Sequence, residues 1–250
     1  MNTIGVDIGG SGIKSGMVDV VAGILLSDRL RTPTPEGGAP QDVAAEVGKQ
    51  VQQLGGEGPV GVGLPCVVKG GIVQTAAHLS KDWIGLNAEQ LLREATGRPV
   101  VIVNDADAAG IAEMRVGAGR DHHRGVVLML TLGTGIGSAL FVDGVMLPNL
   151  ELGHIEVRGK EGELRAAASV RDRKKLSWAD WAERVNEFLD HAERLLWPDL
   201  IILGGGVTKN PDKFVPLLKA RATITVAELQ NSAGIVGAAM AAADAASVTS

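Results

Sequence analysis

Apolar positions alternate with small and polar ones at the start of the chain, so residues 3–8, 12–20 and 23–31 predict three strands of an antiparallel meander with glycines at each joint. A Pro/Gly-rich connector, 32–40, leads into residues 41–54. There Val43, Val47, Val51 and Leu54 recur at three- and four-residue spacing, which predicts a helix. Residues 60–64 read as a buried strand, 88–96 as a helix with Gly97 past its end, and 100–103 as another strand. The first hundred residues thus predict β-β-β-α-β-α-β.

The second half begins in the same way. A shift of 124 residues lays Asp7-Ile8-Gly9 over Thr131-Leu132-Gly133 and Asp19 over Asp143, so a strand, a glycine turn and a second strand occur twice, as in an internal duplication. A basic segment follows at 158–175, then a helix from Ser177, its N-cap, to about Leu195. A strand at 200–203 ends in Gly204-Gly205-Gly206, and an Ala-rich terminal helix starts near Ala233. The pattern predicts an α/β protein. Its small N-terminal domain spans 1–105, with the terminal helix 233–250 packing back on it, and a larger domain spans 106–232.

Composition narrows the function classes. Of 250 residues 45% are apolar, and the mean hydropathy is +0.16, which excludes a disordered polymer. Aromatics at 3% disfavour an aromatic-cored β-sandwich, and the 34 glycines show no collagen period, which assigns them to turns and close backbone approaches. A net charge of −5 supplies no global basic field for duplex nucleic acid. One cysteine, Cys66, excludes an internal disulfide and a Cys-rich structural zinc site, and fits a reducing compartment. The N-terminus lacks signal-peptide character, and the longest apolar stretch, 233–243, is too short to span a membrane. The expectation is a cytoplasmic protein with neither membrane nor nucleic acid as partner.

Four short segments and a third glycine cluster carry candidate chemistry. Asp7-Ile8-Gly9-Gly10-Ser11-Gly12-Ile13-Lys14 lies directly after a strand. Gly9, Gly10 and Gly12 let backbone N–H groups approach an anion, while Ser11 and Lys14 add a hydroxyl and a charge. Ionised Asp7 only accepts hydrogen bonds, which suits a magnesium or water ligand beside phosphates. A tight hairpin that merely needs glycines is the plain alternative, and Walker A spacing is absent. Leu130-Thr131-Leu132-Gly133-Thr134-Gly135-Ile136-Gly137 repeats this chemistry. Two such hairpins facing one another would clamp a phosphate chain, and Gly204 and Gly205 open a third cluster for a purine or further phosphates, or for a helix entry needing room.

Asn104-Asp105-Ala106-Asp107 follows a buried strand, where a carboxylate opens into a crevice. Asp105 could accept a proton from a substrate hydroxyl and Asn104 hold a neighbouring one, or either could cap the next helix. Glu151-Leu152-Gly153-His154-Ile155-Glu156 suits a polyhydroxylated ligand, with a divalent-metal site and a solvated turn as rivals.

Taken in order along residues 7–206, Asp7-Ile8-Gly9-Gly10, Asn104-Asp105, Leu132-Gly133-Thr134-Gly135-Ile136-Gly137, Glu151-Leu152-Gly153-His154 and Leu203-Gly204-Gly205-Gly206 resemble the ROK family of sugar kinases, of the actin/hexokinase-like ATPase superfamily. Thr75-Ala76-Ala77-His78-Leu79-Ser80-Lys81-Asp82-Trp83-Ile84-Gly85, Leu176-Ser177-Trp178, Trp181 and Asn186-Glu187-Phe188-Leu189 are similar to its polyphosphate glucokinase subgroup. The resemblance implies a duplicated actin/hexokinase-like (ribonuclease H-like) fold, two α/β domains around a cleft. The implied reaction moves a phosphoryl group from inorganic polyphosphate and/or ATP to the 6-hydroxyl of glucose, or of mannose. Asp105 becomes the implied catalytic base, with Asn104, Glu151, His154, Glu156 and Gly71 on the sugar. Asp7 would hold Mg2+, directly or through water, and the glycine hairpins the donor; a homodimer is the family expectation.

Departures from the family pattern also matter. His78 and Cys66 stand where Asn and Gly are expected, which bears on sugar selectivity, and no cysteine follows Cys66, so the zinc module of many ROK proteins is not carried over. With Asp7 close to the start of the sequence, the DNA-binding extension of repressor members is not expected. An ATP-only hexokinase for another sugar, a non-kinase actin-like ATPase and a binding protein without turnover are the alternatives; the 151–156 cluster argues against the ATPase. A polyphosphate donor needs a cationic track. Residues 158–175, with seven Lys/Arg against three Asp/Glu, and the group Arg115, Arg120, His122, His123 and Arg124 are candidates, although a solvated face is the ordinary reading of such runs.

Overall fold

A single hairpin sets up the sheet that positions the first group of candidate residues. In the computed structural model, which describes residues 2–77 and 79–248, strand β1 (Asn2–Gly9) turns back at Gly10-Ser11 into β2 (Gly12–Asp19), with Gly9 opposite Gly12. Two short strands, β3 (Ile24–Leu25) and β4 (Leu30–Thr32), pair with β2 where one strand over 23–31 is expected. The break has a local cause. Ser27 Oγ accepts the Met17 N–H at 3.0 Å, so a side chain replaces a backbone rung and the chain peels away between the two strands.

Helix α1 (Pro40–Leu54) has proline at its first position, buries Val43, Val47 and Val51, and ends at Gly55. Strand β5 (Val60–Leu64), the hairpin β6 (Val68–Lys69) and β7 (Ile72–Val73), and helix α2 (Ala88–Thr96) follow. Asn87 Oδ1 caps α2 by accepting the Gln90 N–H at 2.9 Å, and Gly97 closes it in the left-handed conformation. Strand β8 (Val100–Asn104) runs into α3 (Asp105–Val116).

The sheet order is β3-β2-β1-β5-β8, with β1, β5 and β8 mutually parallel and β4 also on β2. Ile4, Val6, Ile8, Val60, Val62 and Leu64 pack with the α1 valines and Trp83, whose indole N–H donates to the Gly38 carbonyl at 2.9 Å. The alternating glycines make the other face. The C-terminal helix (Ala233–Val248) approaches it so closely that a Cβ on Gly61 would lie 1.8 Å from the Ala238 carbonyl oxygen. The same helix also meets α3 closely: a Cβ on Gly237 would lie 1.6 Å from the Ala108 carbonyl oxygen. Val-Gly alternation in β5 therefore gives one face to side-chain packing and the other to backbone contact.

The chain divides into two compact units, Met1–Val116 with Ser232–Ser250, and Gly117–Asn231. The division falls at 116/117, not at the expected 105/106, because α3 packs on the C-terminal helix and stays with the first unit. The second unit is consequently the smaller of the two.

In the second unit β9 (Val126–Leu132), β10 (Ile136–Val142) and β11 (Val145–Leu147) form a meander. A small hairpin, β12 (Glu156–Val157) and β13 (Lys160–Glu161), leads to α4 (Glu163–Ala166), α5 (Ala168–Lys174) and α6 (Trp178–Leu196). Ser177 Oγ accepts the Asp180 N–H at 3.0 Å, capping α6. Strands β14 (Leu200–Gly204) and β15 (Thr223–Val226) complete a sheet of order β11-β10-β9-β14-β15, in which β9, β14 and β15 are parallel. Leu128, Leu130 and Leu132 pack with Trp181, Phe188 and Leu189 of α6.

Both sheets thus have one topology, a three-strand antiparallel meander continued by two parallel strands. The turns differ by a residue. Gly10-Ser11 joins β1 to β2, whereas Gly133-Thr134-Gly135 joins β9 to β10 between the paired Leu132 and Ile136.

Candidate active site

In the first unit, Asp7 and Lys14 face each other across the β1–β2 ladder, and Lys14 Nζ donates to Asp7 Oδ2 at 2.8 Å. The pair is mostly enclosed, with side chains 17% and 28% exposed for Asp7 and Lys14. Asp7 lies on the glycine face: a Cβ on Gly234 would come within 3.0 Å of its carboxyl carbon. Gly10 and Ser11 at the tip are exposed, and the Gly9 carbonyl is held by the Thr34 hydroxyl.

Asn104 and Asp105 stand at the carboxyl end of β8, where α3 begins. Asn104 is buried, and its Oδ1 accepts the N–H groups of Ala106 (2.8 Å) and Asp107 (3.2 Å) while its Nδ2 donates to the Cys66 carbonyl (3.2 Å). It is the helix cap. Asp105 remains partly exposed, with Oδ1 accepting its neighbour's N–H at 2.8 Å, so one oxygen is oriented by backbone. Gly71 lies in the β6–β7 turn at φ 77° beside Glu89, with its carbonyl accepting the Ala88 N–H at 2.9 Å. That geometry braces α2.

In the second unit the Gly133-Thr134-Gly135 turn is tied down by α5. Ser169 N–H donates to the Gly133 carbonyl (3.0 Å) and Ser169 Oγ to the Thr134 carbonyl (2.6 Å). Gly205 follows β14 at φ 90°, and a Cβ there would lie 2.4 Å from the Leu132 carbonyl oxygen. Only glycine allows this crossing of the two turns. Between them opens a cleft of about 370 Å³ bounded by Gly133, Thr134, Gly206, Asn210, Arg171 and Trp178, a size in the range of small-ligand sites. Thr131, by contrast, sits within the β9–β10 ladder opposite Gly137.

The segment from Glu151 forms one helical turn, Leu152–His154, anchored by Ser138, whose Oγ donates to the Leu150 carbonyl (2.7 Å) and accepts the Leu152 N–H (3.0 Å). His154 lies between two carboxylates, Nε2 3.8 Å from Glu151 and Nδ1 3.4 Å from Glu161. Glu156 is paired directly opposite Glu161 across β12–β13, an arrangement of like charges that costs stability unless a ligand or cation offsets it. Glu163 adds a third acceptor near His154 and Glu161, and its Oε2 also accepts the Ile136 N–H at 3.2 Å. This His–Glu–Glu set suits sugar hydroxyls as well as a hard divalent cation.

Residues 3–169 match the family model described as the ROK family. The chain belongs to the ROK family. It is 50% identical over 238 residues to the polyphosphate glucokinase of Mycobacterium tuberculosis, covering 95% of this chain and 89% of that protein. Among solved structures, an inorganic polyphosphate/ATP-glucomannokinase from Arthrobacter sp. strain KM superposes with a TM-score of 0.94 at 45% identity, over 98% of this chain and 99% of that one. A ROK family glucokinase from Streptomyces griseus, in complex with glucose and AMPPNP, has the same fold, with a TM-score of 0.81 at 23% identity over 96% and 98% of the two chains. The fold is that of the actin/hexokinase-like ROK kinases.

Within this ROK chain the residues that resemble the polyphosphate subgroup divide by environment. Trp83 and Trp181 are fully buried, the latter donating its N–H to the Ala166 carbonyl at 2.9 Å, so both serve the cores. Asn186 holds the 217–219 loop, and Glu187 is clamped by Arg158 (2.8 Å) and Arg165. Burial alone would raise the Glu187 carboxyl, but the hydrogen bond and charge of Arg165 and the charge of Arg158 outweigh it and hold the group below its ordinary range. Trp178 lines the cleft. His78 lies outside the described residues.

The basic segments divide likewise. In 158–175, Arg158 and Arg165 are committed to Glu187, while Arg173, Lys174 and Lys175 are exposed. In the second basic group, Arg115 pairs with Asp244 and Arg120 with Glu228 at 2.6 Å, leaving His122, His123 and Arg124 on the surface. Glu161, Glu163, Ser138 and Ser169 were not legible as site residues beforehand, because each acts through a partner distant in sequence.

Proposed function

We propose that this protein is a hexose kinase that transfers a phosphoryl group from inorganic polyphosphate or ATP to the 6-hydroxyl of glucose, with mannose as a second acceptor. The observation that carries the reading is the division of labour at the end of β8. Asn104 Oδ1 caps α3 by accepting two N–H groups, while Asp105, partly exposed beside it at the end of β8, has Oδ1 oriented by the Ala106 N–H, a placement that suits a general base. Support comes from the polyphosphate glucokinase and glucomannokinase relatives.

In this mechanism the 6-hydroxyl oxygen attacks the terminal phosphorus, the P–O bond to the rest of the donor breaks, and the hydroxyl proton passes to Asp105. Glu151, His154 and Glu156 accept or donate to ring hydroxyls, and Asn104 steadies a neighbouring one. Gly9, Gly10, Ser11, Gly12 and Lys14, with Thr131, Gly133, Thr134, Gly135, Gly204 and Gly205, provide N–H groups, hydroxyls and charge for donor phosphates. Magnesium, when bound, neutralises phosphate charge. Asp7 would hold it through the hard carboxylate oxygen that Lys14 does not engage. The same reading makes the protein a cytoplasmic homodimer; among the described residues no helix is long and apolar enough to cross a membrane, and the one cysteine, Cys66, is buried.

The test is a coupled assay for hexose 6-phosphate with each sugar and donor in turn, run on the wild type and Asp105→Ala. The variant should lose about 10²- to 10⁴-fold in turnover, the usual worth of a positioned base, while its thermal melt is unchanged. Near-normal turnover in Asp105→Ala would overturn the assignment.

A further inference from the structure

We propose that the Arg171–Trp178 stack and the adjoining Arg173-Lys174-Lys175 run form a track for an extended polyanion, so that inorganic polyphosphate lies along the end of α5 while its terminus enters the glycine cleft. The proposal rests on the kinase reading above and adds the residues that favour a chain donor.

Trp178 borders the cleft, yet its ring is already engaged by protein. The Arg171 guanidinium carbon lies 3.6 Å from its centroid, Phe214 is stacked on it at 6.0 Å and 17°, and Trp181 meets it edge-on at 5.9 Å. What this wall offers a ligand is therefore a planar cation rather than a bare indole. A purine gains most from an open aromatic face, whereas a phosphate gains most from the fork of a guanidinium. Arg171 keeps donor capacity for one: among the described residues its side chain hydrogen-bonds through Nη1 alone, to the neighbouring Asp172 at 3.0 Å. Lys213 Nζ stands 5.7 Å from the same ring.

The cations continue beyond the cleft. Arg173, Lys174 and Lys175 are exposed and make no ion pair or side-chain hydrogen bond among the described residues, while Arg158 and Arg165 of the same basic segment are committed to Glu187. Lys175 is fixed in the left-handed conformation, its N–H donating to the Arg171 and Asp172 carbonyls, so the run is anchored to the residue that stacks on Trp178. Asp172 is the acidic residue within this stretch. Cations spaced outward from a cleft add nothing for a donor whose charge is confined to one short triphosphate. They add a contact per phosphate for a long chain.

A purely structural role is available, because basic residues in the last turn of a helix stabilise its C-terminal carbonyls. The experiment separates the two. R173Q/K174Q/K175Q and wild type are assayed with glucose and long-chain polyphosphate, tripolyphosphate or ATP across a NaCl series, together with their thermal melts and the quenching of tryptophan fluorescence by long-chain polyphosphate. The ratio of kcat/KM for long chains to that for ATP should fall about tenfold at low salt. The log–log salt slope for long-chain binding should shrink by about two, at roughly 0.7 per phosphate contact as in single-stranded polyanions. Preference for long chains over tripolyphosphate should disappear. An unchanged donor ratio and salt slope, with or without a lowered melting temperature, overturns the track and leaves the helix-end role. ATP use without polyphosphate use by the wild type sinks the track alone, whereas absence of hexose 6-phosphate with every donor sinks the kinase reading itself.

Discussion

The two sheets share a strand order but not a chemistry. In the first unit the glycine turn is backed by a charged couple, Asp7 with Lys14, and the fifth strand of the sheet ends in Asn104-Asp105. In the second, the equivalent ladder position joins Thr131 to Gly137, and the fifth strand ends at Val226 before an alanine. Its turn is shaped instead by backbone contacts, to Ser169 and around Gly205. A repeated topology thus keeps where turns and strand ends occur and leaves their contents to differ: a charged couple backs the first turn, and a serine anchor with a glycine crossing backs the second.

Moving the charge tests this contrast most severely. Asp7→Asn should lower kcat/KM by about 10²-fold with either donor, the scale of losing one electrostatic contact to a transition state, and should raise the magnesium concentration needed for half-maximal rate. Matched kinetics and magnesium titrations in both proteins check it; an undisturbed magnesium curve removes Asp7 from the donor site.

Changing the shape of the second turn comes next. Gly205→Ala puts a methyl 2.4 Å from the Leu132 carbonyl at φ 90°, which should cost roughly 2–4 kcal/mol from overpacking and backbone strain. Urea denaturation measures the loss, and the KM for both donors should rise with it. Tolerance of alanine at wild-type stability would show that the two turns are not held in this crossing.

The smallest effect concerns the Glu187 clamp, a carboxylate held by two arginines that has no counterpart among the described residues of the first unit. Its carboxyl is held below the ordinary value of 4.5, so its contribution is full above that pH and fades as pH falls through the lower folded value. Wild type should accordingly lose more melting temperature between pH 5 and 3 than Glu187→Gln does. Parallel acid limbs in the two proteins would contradict the clamp's electrostatic role.

Much of the architecture was legible because periodicity and punctuation coincide. The α1 valines, the Asn104 cap, Ser177 before α6 and the glycine turns all rest on interactions within a few residues of each other. Elements governed by distant partners were not. The break between β3 and β4 depends on Ser27 reaching Met17, and the Thr-Ile-Thr-Val alternation of β15 spans only four residues, too short to announce a strand. The assignment of α3 to the first unit depends on the C-terminal helix, whose apolar surface runs all round and whose partners are carbonyls beneath glycines. At the site, Asp7, Asn104-Asp105 and 151–156 announced themselves by residue type. Glu161 and Glu163 lay hidden inside a run read for its positive charge, and the committed state of Arg158 and Arg165 was invisible without Glu187 beside them.

The return of the C-terminal helix to the first sheet has a consequence for biosynthesis. Gly61 and its neighbours face that helix directly, so the nascent sheet stays uncapped on one side until residues 233–248 emerge from the ribosome, whereas Gly117–Asn231 is continuous and can complete itself beforehand. The order of folding therefore runs against the order of synthesis, with the half made first being the last to close.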